Sequence, residues 1–234
     1  MKKQETIALL KSPDFRGRLE SLKILPFHKA LSHLFSALCS EEEEVKWHAV
    51  TATGILVVPP DGRNLETARN ILRRMTWFLN EESGGIGWGI PEAMGEILAR
   101  DETLAREFAP LLLSYLRPGE NFLEFEPLLR GALWAVGRVA QAFPGILVSL
   151  GAGNLLLSLL DSRDPASRGL AAWGLGSLGD EKSLPALVRL RDDGEVIQLY
   201  LEGRIGSFRI GQLAEDAAGA VRKRLGSGRL EAGG

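Results

Sequence analysis

Cysteine is almost missing from this 234-residue sequence, which contains a single one, Cys39. A lone cysteine excludes an intramolecular disulfide and any metal site built from several thiolates. Cys39 ends the apolar run LFSALC and has no adjacent Lys or Arg that would lower its pKa. We therefore expect a structural thiol and not a nucleophile. Such low cysteine usage fits a reducing compartment, so a cytoplasmic location is expected.

Long apolar runs and an excess of one charge are also lacking. The longest apolar region, 144–160, is interrupted by Gly151, Gly153 and Asn154, which makes it too broken to cross a bilayer. The apolar run before Lys11 is too short for the core of a signal peptide. The net charge is −2, and nucleic acids and anionic membranes attract concentrated Lys and Arg. We expect neither as a partner.

Motifs of known catalytic sites are the third absence. The sequence has no G-x-S-x-G turn, no P-loop and no zinc-ligand spacing. Of the three histidines, His28 and His33 lie five residues apart, on diverging faces of a helix, and His48 stands alone. The sequence therefore predicts no catalytic residue, no metal and no cofactor.

What the sequence does contain is a recurring phrase that ends in glycine. It reads WHAVTATG at 47–54, WGIPEAMG at 88–95, RGALWAVG at 130–137 and GLAAWGLG at 169–176, with a weaker copy, LYLEGRIG, at 199–206. The final glycines are spaced by 41, 42, 39 and 30 residues. Periods of this size are typical of repeats made of two helices.

The copies share a face of small and apolar residues. Positions one, two and five before the glycine point the same way on a helix. The position two before the glycine holds small residues: Ala52, Ala93, Ala135 and Gly174. Small side chains let the next helix approach closely, as stacked repeats require.

A second amphipathic segment follows each phrase, after a turn rich in Gly, Pro or Asp. These segments cover 65–79, 103–116, 155–160, 184–190 and 213–225. The sequence thus predicts an all-α, right-handed α-α superhelix of five to six helix pairs. We expect one domain at 1–225, with a cap pair at 14–39, repeats at 41–79, 80–117, 118–160, 161–192 and 193–225, and a flexible tail at 226–234.

The stretch 159–193, LLDSRDPASRGLAAWGLGSLGDEKSLPALVRLRDD, resembles a HEAT repeat of the short kind found in phycobilisome-lyase-like proteins. Asp164, Arg168, Ala171-Ala172, Leu175-Gly176 and Gly179-Asp180 match that pattern. The other copies match mainly in their glycine and alanine columns. As a whole the chain is similar to bacterial HEAT-repeat proteins with no assigned activity. The resemblance implies a HEAT-like solenoid and says little about function.

The segment 75–96, MTWFLNEESGGIGWGIPEAMGE, departs most from what a repeat requires. Its glycines superficially resemble a dinucleotide-binding loop, but no strand precedes them and the acidic residues would repel an anion. We interpret it as a tight loop between repeats that is covered by Trp88. A partner-binding patch is the alternative.

Four of the five tryptophans lie on a stripe opposite the alanine column: Trp47, Trp88, Trp134 and Trp173. We favour the interpretation that they fill the gap between a first helix and its paired second helix. A surface hot spot for binding is the other interpretation. The same stripe predicts that Glu92 and Glu96 face Arg130 and Arg138 on the neighbouring helix.

The leading functional prediction is a non-catalytic scaffold that binds another protein on one face of the solenoid. The predicted patch consists of Trp47, His48, Asn80, Glu81, Glu82, Trp88, Glu92, Glu96, Arg130 and Trp134. The alternative is a small-ligand protein or lyase-like enzyme with a pocket formed by Trp88, Glu92, Arg130 and Trp134. The oligomeric state stays open.

Overall fold

The computed structural model describes residues 2–59, 65–80 and 87–231. These ranges fold into α-helices, two short 3₁₀ helices and one β-hairpin. The α-helices are α1 (Lys3–Leu10), α2 (Phe15–Arg18), α3 (Phe27–Leu38), α4 (Glu43–Val57), α5 (Leu65–Asn80), α6 (Ile90–Leu98), α7 (Glu102–Ser114), α8 (Glu126–Ala142), α9 (Pro144–Ser149), α10 (Ala152–Leu159), α11 (Pro165–Leu178), α12 (Leu184–Leu190) and α13 (Ile210–Glu231). The hairpin consists of β1 (Val196–Leu201) and β2 (Arg204–Arg209).

The helices stack in two layers, as a solenoid requires. In one layer α4, α6, α8 and α11 pack against each other in chain order, and α13 packs next to α11. We call this the first-helix layer. The second helices α5, α7, α9, α10 and α12 each pack against one or more helices of this layer. The helical repeat architecture predicted from the glycine-ended phrases is confirmed.

The small-residue columns lie where the prediction placed them. Ala52, Ala93 and Ala135 are completely or almost completely buried, and so is Gly174. Gly95 lies directly against Ala135 of the next first helix, where an added methyl group would come within 2.5 Å of the Ala135 backbone. Close stacking of the first helices therefore depends on small side chains at these positions.

The N-terminal segment has one more helix than the predicted pair at 14–39. Helix α1 precedes that pair and packs against α3 and α4. Pro26 separates a 3₁₀ helix, Leu19–Ile24, from α3. Asp101 caps α7 by accepting a hydrogen bond from the Leu104 amide.

The weak fifth copy, LYLEGRIG, was wrongly interpreted as a helix. It forms the end of β1, the turn and the start of β2, with Leu201 opposite Arg204. The run Val196–Leu201 is rich in β-branched and aromatic residues, which favour a strand. Its glycine spacing of 30, shorter than the other three, was the sign that the helical pattern had ended.

Helix α13 takes the place in the stack that was predicted for that copy. The segment 213–225 was expected to be a second helix, yet α13 packs against α11 in the first-helix layer. A glycine signal was present: Gly219 lies 43 residues after Gly176, within an Ala-Ala-Gly sequence. The helix also continues through Glu231, into the predicted tail, and residues 232–234 lie outside the described ranges.

Candidate functional site

The structure contains a cleft of about 990 Å³ on the face of the first-helix layer. Its walls come from the N-terminal turns of α4, α6, α8 and α11, from Leu38–Glu41 at the end of α3, and from the hairpin with the preceding Glu195. Residues near the starts of all four first helices line this one cleft, so these starts lie near one another. The hairpin closes one side of the cleft.

A buried ion pair lies between α4 and α6 at this cleft. Lys46 Nζ is 3.0 Å from Glu92 Oε1, and the Glu92 side chain is only 4% exposed. The other carboxylate oxygen, Oε2, has no hydrogen-bond partner among the described residues. It lies against Gly131 of α8, where an added Cβ would come within 2.6 Å. Glycine at 131 is therefore what leaves room for the carboxylate.

The protonation of Lys46 follows from this environment. Burial by itself lowers the pKa of an amine, but the charges of Glu92 and Glu43 outweigh it and raise the pKa of Lys46. Lys46 is therefore a cation at neutral pH. Its ammonium group also lies 5.0 Å from the ring centre of Trp47, within the range of a cation–π contact.

Aromatic rings join the cleft to the hairpin. The Trp47 ring stacks on Tyr200 with centroids 4.9 Å apart, and it lies 4.8 Å from the Trp134 ring. Trp134 Nε1 donates a hydrogen bond of 3.0 Å to the backbone carbonyl of Tyr200. Burial raises the pKa of the Tyr200 hydroxyl, which bonds Thr51. Trp47 and Trp134 therefore pack against the hairpin, a neighbour that the favoured interpretation did not include.

Arg130 and Asp164 form the second charged pair in the cleft wall. Arg130 Nε and Nη2 donate to the two Asp164 oxygens at 3.0 and 2.7 Å. Asp164 also caps α11 by accepting from the Ser167 amide. Burial opposes ionisation, but the bonds from Arg130 and Ser167 prevail and lower the pKa of Asp164. Both groups are charged and mutually satisfied.

The remaining charges of the cleft are negative. Glu41, Glu43 and Glu195 line it, all three are exposed, and none forms an ion pair with a described residue, while Glu43 accepts a hydrogen bond of 3.0 Å from Trp47 Nε1. We call these three residues the acidic rim. With Glu92 neutralised by Lys46 and Asp164 by Arg130, the cleft carries a net negative charge.

Half of the predicted patch lies in this cleft. Trp47, Trp88, Glu92, Arg130 and Trp134 all line it, although they come from three different helices and one loop. Trp88 is 37% exposed, and its ring meets Phe125 edge-on at 5.5 Å. Five of the ten residues of the predicted patch therefore lie together in the lining of one cleft.

The other predicted residues lie elsewhere. His48 is buried, stacks on Phe15 at 3.7 Å and bonds the Leu10 carbonyl, so it belongs to the core. Glu96 is buried too. Asn80 is exposed at the end of α5 and does not line the cleft. Glu81 and Glu82 lie outside the described residues.

The predicted charge ladder is half correct. Glu96 does pair with Arg138, at 2.7 Å, and also with Arg100. Glu92, however, pairs with Lys46 on the preceding helix and not with Arg130, which bonds Asp164. Sequence reasoning considered only the following helix as a neighbour, whereas each first helix has one on both sides.

Sequence reasoning also missed several residues of the cleft. Lys46 and Glu43 precede the repeated phrase, and Glu195, Val196 and Gln198 lie in a segment that was assigned to a helical repeat. The β-branched and aromatic residues of VIQLYL were the sequence signal for a strand that contains Val196 and Gln198.

Within the described part of the chain, no three His, Cys, Asp or Glu side chains are grouped in a way that could hold a metal ion. No helix there is long and apolar enough to span a membrane.

No family model and no curated protein matches the sequence. Solved structures match the fold. A designed armadillo repeat protein in complex with the peptide (KR)4 has 19% identity and a TM-score of 0.52, over 94% of this chain and 100% of that one. An engineered protein solved by a structural genomics consortium has 14% identity and a TM-score of 0.51, over 95% and 99%. The chain thus has the armadillo/HEAT type of helical repeat solenoid, with a two-stranded hairpin added.

Proposed function

We propose that this protein is an interaction module whose cleft binds a cationic, extended segment of a partner protein. The observation that carries the proposal is the acidic rim: three exposed carboxylates, without an ion-pair partner among the described residues, line a cleft whose wall contains the part-exposed Trp88 ring. Carboxylates and tryptophan rings both attract Lys and Arg side chains, by charge and by cation–π contacts.

An anionic ligand fits the cleft less well. Four helix N-termini meet there, and such ends attract anions in general. However, α6, α8 and α11 each have proline at the first or second position, which removes amide donors. Glu43 and Asp164 occupy the space next to two of these ends. Both features favour a cation over a phosphate or an acidic peptide.

The fold supports a protein partner. Helical repeat solenoids present extended surfaces that suit peptides and proteins. The designed armadillo repeat protein of similar fold was solved with the cationic peptide (KR)4. The likeness to that structure concerns the fold, and the charge of the present cleft is the independent argument for a cationic segment.

A direct test is fluorescence anisotropy with two labelled peptides as long as β1, one of alternating Lys and Thr and one of alternating Glu and Thr. We expect the Lys peptide to bind and the Glu peptide not to bind. Since surface charges are screened by salt, raising the ionic strength from low salt to about 0.5 M should weaken binding severalfold. Equal binding of both peptides, or of neither, would contradict the proposal.

Matched variants locate the binding on the protein. Trp88→Ala and Glu43→Gln both change residues of the cleft. Each should lower the affinity for the Lys peptide by about threefold to tenfold. Trp77→Ala and Glu44→Gln are the controls, because both side chains are exposed and neither lines the cleft. If the control variants weaken binding as much as the cleft variants do, the cleft is not the binding site.

The lone cysteine provides a readout that needs no mutation. Cys39 is exposed and lines the cleft. A bound Lys peptide should therefore slow the alkylation of Cys39 by iodoacetamide, while the Glu peptide should leave the rate unchanged.

A small cationic or aromatic molecule is the second candidate for the same cleft. Its volume of about 990 Å³ lies within the range of small-molecule pockets, and the four residues predicted to form a pocket all line it. Native mass spectrometry of protein purified from its own cells tests this candidate. A retained small molecule that the Lys peptide displaces would support it, and ligand-free protein would count against it.

A further inference from the structure

The hairpin exposes one strand edge to the cleft, which follows from its register. Leu201 and Arg204 flank a two-residue turn in which Glu202 and Gly203 have φ angles of 51° and 90°. In such a turn the flanking residues form a hydrogen-bonded pair, and every second pair along the hairpin does the same. Leu201, Leu199 and Ile197 thus bond β2, and the Ile210 amide extends the pattern by donating to the Glu195 carbonyl.

The intervening residues of β1 therefore direct their amide and carbonyl groups away from β2. The Tyr200 carbonyl shows which way this edge faces, because it accepts the indole N–H of Trp134 on α8. Val196 and Gln198 are the next two residues on the same edge, and both line the cleft. No hydrogen bond with another described residue satisfies their outward backbone groups.

This edge lacks the features that usually protect exposed strands. β1, VIQLYL, contains no charge and no proline, and Val196 is 58% exposed. β2, RIGSFR, has arginine at both ends. Native proteins normally place charge, proline or a covering element at a free edge, because an unpaired edge recruits another strand.

We infer that β1 binds the partner segment by strand addition, with the segment's backbone pairing with Val196 and Gln198 inside the cleft. The inference rests on the proposed function and specifies how that same site binds. Because side chains alternate along a strand, every second side chain of the segment points to one face. Cationic residues at alternate positions can then lie next to the acidic rim, while the backbone bonds hold the register.

Two proline variants separate the two edges of the hairpin. Gln198 and Ser207 face each other in the register, their side chains bond each other, and the amide of each points away from the partner strand. Proline at either position removes an outward amide without removing a ladder bond, and both changes remove the same side-chain bond. Only the Gln198 amide faces the cleft.

We expect Gln198→Pro to weaken binding of the Lys and Thr peptide by about tenfold or more, and Ser207→Pro to change it by less than about twofold. Circular dichroism and thermal melting establish that both variants are folded. Equal effects of the two variants, or no effect of Gln198→Pro, would overturn the strand-addition mode.

A test on the peptide works even if a proline variant does not fold. Two forms of the Lys and Thr peptide carry N-methyl groups on either the Lys or the Thr amides, with the charges unchanged. Strand addition predicts that wild-type protein binds one methylated form about tenfold more weakly than the unmethylated peptide. Its affinity for the other form should be unchanged. Equal affinity for both methylated forms and the unmethylated peptide would overturn this mode and leave the proposed function standing. Failure of the unmethylated peptide to bind would overturn both.

Discussion

The hydroxyl groups of Tyr200 and Thr51 are 2.8 Å apart, and this bond joins residues separated by 149 positions in the chain. It connects the hairpin, which follows α12, to α4 near the other end of the stack. Most contacts in a solenoid are between neighbouring repeats. The Tyr200–Thr51 hydrogen bond joins repeats that are distant in sequence. It is a long-range contact that contacts between neighbouring repeats do not provide.

We predict that the interaction energy of these two hydroxyl groups is measurable in a double-mutant cycle. Tyr200→Phe and Thr51→Val each remove one hydroxyl and should each lower the free energy of unfolding by about 1 kcal/mol. The double variant should lose little more than either single variant, because both remove the same bond. Urea unfolding provides the measurement. Fully additive losses would show that the two hydroxyls do not interact.

The fit of Glu92 against Gly131 gives a second prediction. In Gly131→Ala the new methyl group would lie 2.6 Å from Glu92 Oε2, so the buried carboxylate must shift from its present position beside Lys46. We expect a loss of about 1–3 kcal/mol in the free energy of unfolding, the usual effect of overpacking. Gly219→Ala is the control. That glycine lies on the exposed side of α13 with open space around it, and alanine there should stabilise by about 0.5–1 kcal/mol.

The Arg130–Asp164 pair predicts that the free energy of unfolding depends on pH in the acidic range. The folded state lowers the pKa of Asp164 below its ordinary 3.8. The ionised carboxylate therefore stabilises the fold above that pH, and the contribution disappears as the pH falls through the lower folded-state pKa. Asp164→Asn should lower the free energy of unfolding by about 1 kcal/mol at pH 7. It should change it very little at a pH below the folded-state pKa of Asp164.

Chemical denaturation of wild type and Asp164→Asn at a series of pH values measures that difference. Asp161→Asn is the matched control, since Asp161 is exposed and forms no ion pair among the described residues. A difference for Asp164→Asn that stays constant from neutral to strongly acidic pH would contradict the assignment of the pair.

The environment of Cys39 predicts that its thiol reacts slowly in the folded protein. Partial burial raises the pKa of its thiol above the ordinary 9.0, and nearby Lys3 offsets this only in part. Less thiolate is then present at neutral pH, so iodoacetamide should react more slowly with the folded protein than with the chain unfolded in urea. The rate should rise with pH through the alkaline range. A folded protein that reacts faster than the unfolded chain would contradict this prediction and the expectation of an unreactive thiol.

The sequence by itself determined the repeat architecture. Glycine and alanine recur at the spacing of helix pairs because stacked helices need small residues at their contacts, and this requirement is local to each repeat. The same periodicity placed Trp47, Trp88, Glu92, Arg130 and Trp134 on one stripe, and the structure brings all five to the cleft. The exact bounds of the repeats stay a prediction.

Only the tertiary structure decided how those side chains are used. The stripe did not specify whether Glu92 pairs with the helix before or after it, because α6 packs against both α4 and α8. The hairpin was missed since its strands are stabilised by contacts with Trp47, Trp134 and Thr51, which are remote in sequence. The hairpin supplies one wall of the cleft and its free strand edge, so the site is a property of the folded chain and not of any single repeat.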